Sequence, residues 1–61
     1  MFNIELVKDY IHEDMINKYD WGVIESNIIY DEVLDCYIVS SVDWCFYISE
    51  NGELLQFELM V

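Results

Sequence analysis

Any chemistry in this chain would have to come from one histidine, two cysteines and thirteen carboxylates. His12 has no second histidine at the spacing of a helical zinc motif, so the string His12-Glu13-Asp14-Met15-Ile16 excludes an imidazole-built metal centre. Asp31, Glu32 and Asp35 are oxygen donors close together in sequence, but they lack the glycine and ligand spacing of a calcium loop. Cys36 falls in an alternating apolar segment and reads as a packing thiol rather than a nucleophile, since nothing orients the single imidazole toward it. Gly22 and Gly52 are isolated, which leaves no phosphate-cradling loop. General acid and base work needs a pocket that separates carboxyl pKa values, and a chain of 61 residues has little room for one. The expectation is a non-enzymatic protein with no cofactor and no metal.

The carboxylates must therefore act as surface. Thirteen Asp and Glu stand against Lys8 and Lys18, a net charge of −11, so contact with nucleic acid or an anionic membrane would meet repulsion and a basic partner is the natural complement. The same charge also keeps an apolar-rich surface soluble. With 56% apolar residues the chain is too hydrophobic for a disordered acidic tail and reads as one folded domain over residues 1–61. Two cysteines are too few for a secreted disulfide framework, and the longest apolar run, Trp44 to Ile48, is far shorter than a membrane span. With no signal-peptide pattern, the expected compartment is the cytoplasm.

The elements that hold these groups follow from period. Ile4, Val7, Ile11 and Met15, continued by Tyr19, recur at helical spacing behind Asn3 as N-cap and ahead of Gly22, and predict one N-terminal helix. On it Glu5, Asp9, Glu13 and Asp20 share the solvent sector, with Asp14 and Lys18 as a compensating pair. From Val23 the period becomes two. Asn51-Gly52 predicts a type I′ hairpin pairing Ile48 with Leu55, Phe46 with Phe57 and Trp44 with Leu59 as one apolar face. A third strand, Val33 to Ser40, joined through Ser41-Val42-Asp43, offers Leu34, Cys36 and Ile38 inward and Asp35, Tyr37 and Val39 outward, with Cys36 and Cys45 on opposite faces. A fourth strand spans Val23 to Tyr30 and turns at Asp31-Glu32. The fold class is α+β, an N-terminal helix on a three- to four-stranded antiparallel meander.

Two surfaces result. The acidic one comprises Glu5, Asp9, Glu13, Asp20, Asp31, Glu32 and Asp35, and the apolar one, for a partner or a second copy, comprises Tyr37, Val39, Tyr47, Leu54 and Met60. Carboxylates one helical turn apart lie about 6 Å from each other, close enough to phosphate spacing to occupy a groove built for nucleic acid. In size, acidity, absence of catalytic residues and mixed helix and meander, the whole chain resembles the small inhibitors that bacteriophages and mobile elements deploy against host defences, anti-CRISPR and anti-restriction DNA mimics among them. That class-level resemblance carries no family motif. It implies a host nucleic-acid-handling enzyme as target, action in the host cytoplasm and often a homodimer. The segment Phe46-Tyr47-Ile48-Ser49-Glu50-Asn51-Gly52-Glu53-Leu54 is faintly similar to the closing hairpin of some immunity domains, which would make the target a basic toxin nuclease. A self-associating structural protein is the third reading.

Overall fold

Asn3 opens the first helical turn as expected, its Oδ1 accepting from the Glu5 N–H at 3.0 Å. The computed structural model describes residues 2–59, so the expectation for Met60 lies outside the described residues. Residues 5–26 hold three short helices where one was expected: α1 (Glu5–Lys8), α2 (Glu13–Ile16) and α3 (Trp21–Ser26). Like charges at Glu5, Asp9 and Glu13 oppose a continuous helix. Local caps supply the restarts. The imidazole Nδ1 of His12 accepts from the Asp14 N–H at 3.2 Å to start α2, and Asp20 Oδ1 accepts from the Val23 N–H at 3.3 Å to start α3. The expected Asp14–Lys18 ion pair does not form among the described residues; the Asp14 carboxylate lies 3.5 Å from His12 Nδ1, the atom that accepts from the Asp14 N–H. The apolar stripe still points inward: Val7 is fully buried, and Ile4, Ile11 and Tyr19 pack against the core.

Four strands follow, β1 (Ile29–Asp31), β2 (Cys36–Ser40), β3 (Trp44–Ile48) and β4 (Leu54–Leu59), as an antiparallel meander in chain order. The fold is therefore α+β, with the helical segments N-terminal. The segment expected to begin the first strand at Val23 is helical up to Ser26. There Ser26 Oγ and Asn27 Nδ2 each donate to the Val23 carbonyl at 2.8 Å and close the last turn, overriding the β-branched composition. Gly22, expected beyond a helix end, lies within α3.

The parity of β2 is the reverse of the expected one. The Ser41 N–H donates to the Trp44 carbonyl at 2.9 Å, so the β2–β3 turn has two central residues, Val42 and Asp43, where a three-residue link was expected. That single residue sets Val39 opposite Phe46 and Tyr37 opposite Ile48, turning Tyr37 and Val39 toward the helices and Cys36 and Ile38 away from them. Cys36 and Cys45 then share a face. They remain free thiols because Cys45 pairs with Ser40, four residues along from Cys36, a separation of about 13 Å that no disulfide spans.

In the β3–β4 hairpin Trp44 pairs with Leu59 and Phe46 with Phe57 as expected, but Ile48 pairs with Leu54 rather than Leu55. The loop is Glu50-Asn51-Gly52, closed by the Ser49 N–H donating to the Glu53 carbonyl at 2.9 Å, and a register shift beside Tyr47 and Ile48 absorbs the extra residue. Within this loop only Gly52 has positive φ, 86°, so the turn is not type I′. The core lies between helices and sheet: Val7, Ile24, Val39, Trp44, Phe46 and Ile48. Aromatic rings extend it, with Trp44 centroids 5.5 Å from Tyr19, 6.0 Å from Trp21 and 4.9 Å from Phe46.

Candidate functional site

In a meander, alternate turns fall at the same end of the sheet. Here the β1–β2 turn and the β3–β4 turn meet there, and between them they carry Asp31, Glu32, Asp35, Glu50 and Glu53. Helix α1 lies over the second turn: the Leu6 side chain sits against Gly52, and the Tyr10 hydroxyl donates to the Gly52 carbonyl at 3.5 Å. Of the seven acidic residues expected to act together, Asp31, Glu32 and Asp35 lie in or beside the β1–β2 turn; Glu5, paired with Lys8, and Asp9, the C-cap of α1, do not lie there. Nor do Glu13, in the first turn of α2, and Asp20, at the cap of α3. The row of evenly spaced carboxylates along one helix face is absent because that helix is broken.

Local structure fixes several of these groups. Asp31 Oδ1 accepts from the Val33 and Leu34 N–H groups at 2.9 and 3.1 Å, forming an Asx turn. Asp35, at φ 54°, accepts from the Tyr30 hydroxyl. Glu32, Glu50 and Glu53 are exposed. The field at this end is felt by its neighbours. The hydrogen bond to Asp35, with the charges of Asp35 and Glu50 adding, pushes the Tyr30 phenol up to about 12, and burial with the charges of Asp31 and Asp35 raises the Cys36 thiol. Cations do not balance it. Lys8 pairs with Glu5 at 3.4 Å and lies 5.3 Å from the Trp21 ring centroid. Lys18 lines a cleft of about 590 Å³ with Val23, Ile24, Ile29 and Val42 at the opposite end, beside the β2–β3 turn.

No protein-family model, curated protein or solved structure matches the chain. Its reading rests on the surfaces themselves.

The expected apolar site is dispersed. Val39 is fully buried in the core and offers nothing to a partner. Tyr37 is half-buried on the helix side, its ring 4.9 Å from Phe2 and 5.1 Å from Tyr30. Leu54 packs against the core, and Tyr47 alone keeps its expected place on the outer face, half-buried beside Cys45. The apolar surface that is open lies on β4, where Leu55, Phe57 and Leu59 are 51%, 46% and 68% exposed. Their pattern was legible as a core face; that the helices stop short of the last strand was not. Phe57 covers itself partly by stacking on Phe46 at 4.8 Å. Cys36 lies on the sheet face away from the helices while His12 caps α2, so thiol and imidazole occupy different layers.

Proposed function

We propose that this protein is a non-catalytic inhibitor that binds and blocks a nucleic-acid-handling host protein by docking its acidic end into a basic groove. The observation that carries this reading is the gathering of Asp31, Glu32, Asp35, Glu50 and Glu53 at one end of a rigid sheet. The two lysines are engaged elsewhere, one against Glu5 and Trp21 and one at the far cleft. Arg and Lys arranged to meet phosphates accept carboxylates through charge-assisted hydrogen bonds, and the turn already holds Asp31 and Asp35 by hydrogen bonds, which leaves those two little side-chain entropy to lose. Exposed Glu32, Glu50 and Glu53 make the first contacts. Asp31 and Asp35 are already oriented by their turn.

The test is affinity capture from a host lysate with the native chain and with a Glu32→Gln, Glu50→Gln, Glu53→Gln variant, which removes charge without touching the core. The expected result is a basic nucleic-acid-binding protein retained by the native chain and lost by the variant. Equal retention by both, or turnover of a substrate by the isolated chain, overturns the proposal.

A further inference from the structure

The two edges of the sheet are unlike. Strand β1 has three residues and ends in the acidic turn, whereas β4 has six, with neither Lys nor Pro to blunt it, and no strand pairs on its far side among the described residues. The direction of its backbone groups follows from the turns. Trp44 O accepts from Ser41 N, so Trp44, Phe46 and Ile48 aim their main-chain groups at β2. Ser49 N donates to Glu53 O, so Cys45, Tyr47 and Ser49 aim theirs at β4. Cys45 and Tyr47 pair with Glu58 and Gln56, so those two residues of β4 face β3. Leu55, Phe57 and Leu59 therefore present their N–H and C=O groups outward, and these are also the residues whose apolar side chains are open.

We infer that β4 pairs antiparallel with β4 of a second copy about a two-fold axis through Phe57, joining two four-stranded sheets into one. This register matches outward group to outward group, with Phe57 opposite its own copy and Leu55 opposite Leu59 of the other chain. A shift by one residue would set inward groups against outward ones. A shift by two sets Glu58 opposite Leu54 in one direction, without an amide partner, and opposite its own copy in the other, charge against charge. The chosen register instead sets Glu58 opposite Gln56, an amide that already donates to Glu58 at 2.6 Å within one chain. The sequence Leu55-Gln56-Phe57-Glu58-Leu59 is self-complementary when read in reverse: apolar on one face, amide against carboxylate on the other. A second copy fits this edge because the strand's own pattern supplies both halves of the match. The net charge of −11 on each copy opposes association, so added salt strengthens the dimer, the reverse of its effect on the proposed basic partner.

Sedimentation velocity of the native chain over a concentration series is expected to show a monomer–dimer equilibrium that shifts toward dimer as salt rises. Leu59→Glu is expected to abolish the dimer while leaving the far-ultraviolet circular dichroism unchanged. Should that variant unfold, oxidation of Phe57→Cys gives the reading independently. Position 57 meets its own copy at about 5.5 Å between Cα atoms, within disulfide reach, and is expected to cross-link, whereas Gln56→Cys is not. A native chain that stays monomeric throughout overturns the inference. So does a dimer indifferent to Leu59→Glu, or equal cross-linking at positions 56 and 57.

Discussion

Gly52 meets two demands at once. Its φ of 86° is costly for any residue with a Cβ, and a Cβ there would come within 3.0 Å of Leu6. Gly52→Ala is therefore expected to destabilise the fold by roughly 1–3 kcal/mol, read by urea denaturation. It should also loosen α1, because Leu6 and Tyr10 both hold that turn. Tyr30 reports the acidic end directly. Its phenol titrates near 10.0 when unperturbed and about 12 in the fold, raised first by its bond to Asp35. The raised folded value fixes the sign: the stabilisation is whole below pH 10, and it is lost as pH rises through 12. An absorbance titration is expected to find Tyr30 among the late-ionising tyrosines, with Tyr47, which is raised first by its bond with Cys45, and Asp35→Asn should return Tyr30 alone toward its ordinary range. Asn is expected to keep the left-handed backbone at that position.

At the scale of elements, the sequence makes the meander legible and its details less so. The link at Ser41-Val42-Asp43 is legible, yet whether the turn has three central residues or two decides the face of every side chain of β2. Hydrophobicity cannot settle that parity, since Cys36, Ile38, Tyr37 and Val39 are apolar on both faces. The same ambiguity hid α3, whose Val23 and Ile24 favour strands while Asp20, Ser26 and Asn27 supply the caps that decide the outcome. Of the acidic end, Asp31, Glu32 and Asp35 are legible in the sequence, but Glu50 and Glu53 are not joined to them there, because residues 31–35 and 50–53 are distant in sequence and meet only through topology. The revised parity predicts that Val39→Thr costs roughly 1–3 kcal/mol, from a hydroxyl buried without a partner. Ile38→Thr should cost less although it removes more apolar volume, because Ile38 is only half-buried. Thermal denaturation of the two variants checks the order, and the opposite order would place Ile38 rather than Val39 in the core.

For the whole molecule, the decisive property is how charge and apolar surface are distributed about one small sheet. Carboxylates gather at the end formed by the β1–β2 and β3–β4 turns, and open apolar side chains run along β4. A protein arranged this way can be held by a basic groove at its end and by its own copy along its side. The central claim is the first of these. It is tested most directly by the dissociation constant of the captured partner as a function of salt, for the native chain and the Glu32→Gln, Glu50→Gln, Glu53→Gln variant. For the native chain, affinity should fall tenfold or more between roughly 50 and 200 mM salt, and the variant should bind more weakly with a shallower slope. A native affinity that is flat with salt, or a variant indistinguishable from it, would contradict the account.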